Sequence, residues 1–310
     1  MEHRLHQPVM PEQVARYLQP RSGGTYIDLT LGLGGHAEVI LERSSPDGHL
    51  LGIDRDAEAL EHASRRLSSF GDRFRALHGS FSELPDLMAG VGLTRVDGML
   101  ADLGVSSLQL DSERRGFSLM KAGPLDMRMD ATAGAPLAEK LAGMDTLELA
   151  GALARLGEVS HARKIAGRIL AALHAGKLKD TLDLARVSAE GPRRGKIHPA
   201  TRVFMALRML VNREIEELTT LLDRLPDPLQ PGGRVVIIAF HSLEDRLIKR
   251  RFTELSGKCS CPPGFPECRC GERRRITLLT RRVARPDDDE INANPRSRSA
   301  RLRAAERLAA

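Results

Sequence analysis

Tryptophan is missing from this 310-residue chain and tyrosine occurs only twice. With aromatic residues at 3%, a row of stacking rings is excluded as the main recognition device. No apolar run approaches the ~18 residues of a membrane-spanning helix. Its first residues, Met1-Glu2-His3-Arg4, lack the apolar core of a signal peptide. The expectation is a cytoplasmic protein without membrane contact. Cysteine is scarce too, and all four cysteines fall in "CSCPPGFPECRC": Cys259, Cys261, Cys268 and Cys270. Their C-x-C-x6-C-x-C spacing departs from the C-x2-C of zinc knuckles, and disulfides are disfavoured in the cytosol. The segment is read as holding no metal, with a structural zinc as the alternative.

What is abundant is charge, at 28% of residues, with a net +6. It is unevenly spread. From Arg246 to Ala310 there are 17 Lys/Arg against 8 Asp/Glu, so the rest of the chain is slightly acidic. A basic end on a near-neutral body suits a polyanionic partner such as nucleic acid. Arg193, Arg194, Lys196, Arg296, Arg298, Arg301 and Arg303 are candidate phosphate contacts.

Strand and helix patterns alternate along the first third. Thr25 to Leu29, Leu50 to Ile53, Phe74 to Leu77 and Val96 to Asp102 read as strands. Pro11 to Leu18, His36 to Arg43 and the stretch with Ala57, Leu60, Ala63 and Leu67 read as helices. Such alternation predicts an α/β fold with a parallel sheet covered on both faces. It stops near Gln109, and the chain up to Thr201 reads as helical (Thr146 to Leu156, Ser160 to Ala175, Thr181 to Glu190). A single long amphipathic helix over Pro199 to Leu222 then leads to a strand at Arg234 to Phe240. Ile276 to Leu279 and Ala300 to Ala305 are further strand candidates. The predicted division is 1–108, a helical insertion 109–201, and 202–310.

"GLGGHA" forms a tight turn between the first strand and its helix and fits the G-x-G-x-x-A dinucleotide pattern. Asp54 stands at the tip of the second strand, where a carboxylate accepts hydrogen bonds from ribose hydroxyls. NAD and S-adenosylmethionine both satisfy this arrangement. Asp28 and Asp102, at the ends of the first and fourth strands, separate them. A pyrophosphate avoids neighbouring carboxylates, whereas a sulfonium cofactor is cationic and favours them. The cofactor is therefore read as S-adenosylmethionine, with Phe81 packing near adenine and Gln109 near the methionine end.

Long segments carry a more specific signal: "YIDLTLGLGGH", "GIDRDAEAL", "DLGVSSLQLDSERRGFSLMKAGPLDMRMD", "FMALRMLVNREI", "GGRVVIIAFHSLEDRLIKRRF" and "NPRSRSARLRAAER". The chain resembles the ribosomal RNA small subunit methyltransferase H (MraW) family across nearly its whole length. That resemblance implies a class I, Rossmann-like methyltransferase sheet with a helical insertion for substrate recognition. The implied reaction is N4-methylation of a cytidine in the decoding (P-site) region of 16S rRNA, in the 30S subunit or as naked RNA. The implied cofactor set is Gly34, Gly35, His36, Asp54, Phe81, Asp102 and Gln109. His36 otherwise reads as a surface residue of a first helical turn.

Asp102 and His241 are the candidate catalytic residues, His241 on the substrate side and Asp102 either as an acceptor beside the target amine or, as readily, as a cofactor contact alone. "FHSLEDR" also fits a helix-capping box over Ser242 to Asp245. In "GPLDMRMD", Asp126 and Arg128 read either as a structural ion pair above buried Met127 and Met129 or as a phosphate or base contact. Two other functions remain in view: an NAD-dependent oxidoreductase and a non-catalytic RNA-binding module. A homo-oligomer is compatible with the sequence.

Overall fold

The computed structural model describes residues 8–189, 198–258 and 273–309. The cysteine segment and Arg193, Arg194 and Lys196 lie outside the described residues. The chain divides into two compact units, 1–104 with 216–310, and 105–215.

The first unit holds seven strands in one sheet, β1 (Thr25–Asp28), β2 (His49–Asp54), β3 (Phe74–His78), β4 (Val96–Asp102), β5 (Leu229–Ala239), β6 (Ile276–Leu278) and β7 (Arg301–Arg307), in the order β3-β2-β1-β4-β5-β7-β6. β1 to β5 run parallel, and β7 joins β5 and β6 antiparallel. This is the Rossmann-like class I methyltransferase sheet that the resemblance implies. Alternate strand residues face opposite cores. Ile27, Met99, Ala101, Val235 and Ile237 point to one face, and Tyr26, Leu100, Val236 and Ile238 to the other. Burial on both faces explains why these strands read as continuous apolar runs.

On one face lie α1 (Pro11–Leu18), α2 (Gly35–Arg43) and α3 (Ala57–Arg66), contributing Val14, Leu18, Ile40, Leu41, Leu60 and Ala63. The other face is covered by α4 (Leu84–Gly90), and by two helices from beyond β4 that supply Leu218, Leu221, Leu222, Ile248 and Phe252. Strand order reverses between β1 and β4, and open α/β sheets bind ligands over the carboxyl ends of the strands at such a reversal.

The second unit is helical: α5 (Ser107–Asp111), α6 (Leu137–Ala142), α7 (Thr146–Gly157), α8 (Ala162–His174), α9 (Thr181–Ser188) and α10 (Thr201–Asn212). α10 packs on α6 and α7, and α8 on α6, α7 and α9. α10 therefore counts with the helical unit, past the predicted insertion end at residue 201. The remaining helices are α11 (Glu214–Arg224), α12 (Ser242–Leu255) and α13 (Asp288–Ala293), the last within the acidic loop before β7.

The long helix expected over Pro199 to Leu222 is two helices. Arg213 turns into the left-handed region at φ 52 and ends α10. The side chain just before it, Asn212, accepts the Met129 N–H at 2.7 Å and donates to the Met127 carbonyl at 2.8 Å. These bonds hold the "LDMRMD" segment, in which Met127 itself has φ 59. Met127 and Met129 are buried, and Arg128 grips Asp126 at 2.7 and 2.9 Å. The structural ion-pair reading of that motif is the arrangement found.

Candidate cofactor site at the carboxyl edge of the sheet

Asp28, Asp54 and Asp102 end three neighbouring strands, β1, β2 and β4. Residues after β1 stitch them together. Asp28 Oδ1 accepts the Thr30 N–H at 3.1 Å and its hydroxyl at 3.4 Å. The Thr30 hydroxyl oxygen accepts the Asp102 N–H at 2.6 Å. Asp54 Oδ2 accepts the Gly32 N–H at 2.7 Å, and Oδ1 the Asp56 N–H at 2.9 Å. Each Asp54 oxygen keeps further acceptor capacity. Burial nevertheless pushes its pKa up against the pull of those two donors.

The glycine turn follows. Gly32 and Gly34 have φ 52 and 79, conformations costly for residues with a Cβ. A Cβ on Gly34 would also stand 3.1 Å from the Leu67 side chain. Gly35 opens α2 under Pro8. His36 is not the surface residue that its place in a first turn suggests. It is 6% exposed, and its Nε2 lies 3.5 Å from Asp102 Oδ2. The inward turn follows from α2 packing its first residues, Gly35 to Ala37, onto the sheet.

Four buried polar atoms at this edge have no hydrogen-bond partner among the described residues: Asp28 Oδ2, both ring nitrogens of His36, and Asp102 Oδ1. Buried polar groups are normally satisfied, and a polar ligand would fit these atoms. The sign of the cluster favours a cation. Asp28 is 1% exposed, and its pKa is pushed up to about 6 by burial, against His36, with Asp102 and Asp54 raising it further.

Phe81 sits just past β3, next to the β2 tip, with the Arg55 guanidinium 5.6 Å above its ring centroid. Gln109 belongs to the helical unit. There its Oε1 accepts the Ser106 N–H at 3.1 Å, and its own N–H bonds the Ser106 hydroxyl at 3.3 Å, forming the capping box of α5.

His241 follows β5 and is buried. The capping box expected over Ser242 to Asp245 lies one residue earlier. His241 Nδ1 accepts the Leu243 N–H at 3.3 Å, and Glu244 returns to the His241 N–H at 3.1 Å. An imidazole can cap like a carboxamide when Nδ1 is the acceptor, and the neutral ring then carries its proton on Nε2. Asp245 is held by Arg303 at 2.6 Å and Arg301 at 3.5 Å. Two of the candidate phosphate contacts, Arg301 and Arg303, are thus paired within the fold.

Sequence reasoning missed Thr30, although an Asp-x-Thr at a strand end is a known signal for local side-chain-to-backbone bonds. It also missed Glu290, which accepts the Met10 N–H at 2.5 Å across 280 positions of sequence and has no local signature.

A glycine turn, a carboxylate at the second strand tip and an acidic, cation-favouring centre define a nucleoside-cofactor enzyme of the methyltransferase kind. Residues 3–308 match the MraW methylase family, and the chain belongs to that family. It is 47% identical to the ribosomal RNA small subunit methyltransferase H of Syntrophotalea carbinolica, covering 98% of each chain. Identity is also 47% to the protein of that name from Geobacter sulfurreducens, over 98% of this chain and 99% of the other. A solved rRNA methylase structure from Streptococcus thermophilus is similar with a TM-score of 0.39 and 14% identity, covering 96% of this chain and 94% of that one. Among the described residues no helix is long and apolar enough to cross a membrane, and no His/Cys/Asp/Glu cluster is arranged to hold a metal.

Proposed function

We propose that the protein transfers the methyl group of S-adenosylmethionine to the exocyclic N4 of a cytidine in the P-site region of 16S rRNA, within the 30S subunit. S-adenosylmethionine supplies a methyl group activated by a positive sulfonium. The observation that carries this reading is the Asp28–His36–Asp102 cluster, whose buried, unpartnered carboxylate oxygens suit a cation. The same carboxylates disfavour a pyrophosphate and so an NAD-dependent reaction. They also have no use in a passive RNA-binding module.

Asp54 holds the ribose hydroxyls, Phe81 packs on adenine, and the backbone at Gly34, Gly35 and His36 admits the cofactor closely. The helical unit supplies RNA recognition. The N4 lone pair of cytosine is delocalised into the ring, so the amine must be held in line with the methyl group at roughly 3–3.5 Å. It also needs an acceptor for its N–H as positive charge develops. Asp102 is that acceptor. Its Oδ2 faces His36, and its Oδ1 has no partner among the described residues. His241, whose Nδ1 caps α12, lies on the substrate side. Because N4 is paired in a duplex, the target base must be unpaired or flipped.

The test is transfer of labelled methyl from S-adenosylmethionine to 30S subunits lacking the modification, beside naked 16S rRNA, with nucleoside analysis. N4-methylcytidine on the subunit is expected. Label in another nucleoside, or transfer to naked RNA alone, would overturn the proposed substrate.

A further inference from the structure

Phe81 is flanked by two serines that turn to the same distant carboxylate. The Ser80 hydroxyl donates to Glu217 Oε2. Ser82 donates its N–H to Oε2 at 3.3 Å and its hydroxyl to Oε1 at 3.1 Å. Glu217 also pairs with the Arg55 guanidinium at 3.5 Å, both side chains being 17% exposed. Arg55 in turn lies over the Phe81 ring. One side chain of α11 therefore ties both neighbours of Phe81 to the residue that follows Asp54. In partial burial such charge-assisted bonds are stronger than in water.

We propose that Glu217 is the positioning residue for the adenosine end of the cofactor, acting through Ser80, Ser82 and Arg55. This rests on the reading of Asp54 and Phe81 as the adenosine contacts. Glu217 fixes the loop on which Phe81 rides and keeps Arg55 over the ring. It also compensates a positive charge beside the ribose acid. An arginine at that place is how related nucleotide sites accept a 2′-phosphate. With Glu217 opposite, the site takes adenosine bearing an unmodified ribose.

The test is calorimetric titration of S-adenosylmethionine, adenosine and adenosine 2′-phosphate into wild type, Glu217→Ala, Glu217→Gln and Ser80→Ala/Ser82→Ala, with melting curves for each. Glu217→Ala should weaken S-adenosylmethionine and adenosine by the same factor, about tenfold, while relatively favouring the 2′-phosphate. Glu217→Gln keeps the shape and loses the charge, so it should lose about threefold and relax the discrimination likewise. In turnover the loss should fall on KM for the cofactor much more than on kcat. Wild-type affinity for both ligands in a folded Glu217→Gln protein would overturn the proposal, as would weakening confined to S-adenosylmethionine. If wild type binds neither adenosine nor S-adenosylmethionine, the cofactor reading fails and takes this proposal with it.

Discussion

The hydroxyl oxygen of Thr30 accepts the backbone N–H of Asp102 at 2.6 Å. One side chain thus joins the ends of β1 and β4 across the point where strand order reverses. The same hydroxyl faces Asp28 Oδ1 at 3.4 Å, so buried Asp28 and half-buried Asp102 share a single orienting group. Their relative position is set by the sheet register, with Asp28 paired to Leu100 two residues before Asp102.

Asp102→Asn separates an acceptor at the reacting amine from a cofactor contact. Removing the charge should lower kcat for methyl transfer about a hundredfold and change cofactor affinity less than about fivefold. Steady-state kinetics beside calorimetry measures both. Thr30→Val, which removes only the orienting hydroxyl, should cost less, about tenfold in kcat.

Asp28 makes stability and binding depend on pH in opposite ways. Its pKa rises from 3.8 to about 6 on folding. The folded chain then holds a proton that the unfolded chain has lost, so stability falls as pH rises through that interval. The cost is complete above about pH 6 and reaches about 3 kcal/mol. Asp28→Asn should accordingly raise the melting temperature at pH 8 and leave it little changed at pH 4. A cation beside Asp28 favours its ionised form, so affinity for S-adenosylmethionine should climb toward pH 6 and level above it. The groups that act on the Asp28 carboxyl are His36, which lowers its pKa, and Asp102 and Asp54, which raise it. Asp28→Asn should flatten the climb.

Gly34→Ala places a Cβ at φ 79, 3.1 Å from Leu67. The strain should cost about 1–2 kcal/mol and weaken the cofactor, because relief requires the turn to move. Gly90→Ala, where a Cβ meets nothing within 4 Å, is the control and should be neutral or slightly stabilising. Chemical denaturation and calorimetry check both.

Asn212→Leu strands the Met129 N–H and the Met127 carbonyl, which its side chain now satisfies. Each unsatisfied group costs about 1–3 kcal/mol, and the loss should appear as faster amide exchange in the helical unit. Methyl transfer to 30S subunits should fall more than about tenfold, while cofactor affinity in calorimetry stays within about twofold.

The sheet was legible because its strands are buried on both faces and punctuated by acids at their tips. Val96 to Leu100 and Val235 to Ile238 leave no helical alternative of their length. The α10/α11 break was not legible. Leu218, Leu221 and Leu222 continue the helical spacing, and Arg213 is neither Gly nor Pro, so the turn is imposed by tertiary bonds of Asn212. Glu217 was illegible for a similar reason, because its partners Ser80, Ser82 and Arg55 are remote in sequence. The cap of α12 was displaced by one residue because histidine is rarely counted among capping side chains.

The acidic edge of the sheet should hold S-adenosylmethionine rather than a dinucleotide. Titration of S-adenosylmethionine and of NAD into wild type and Asp54→Ala tests it directly. S-adenosylmethionine alone should bind, weakened at least about tenfold by Asp54→Ala. Tighter binding of NAD, or S-adenosylmethionine affinity indifferent to Asp54, would contradict it.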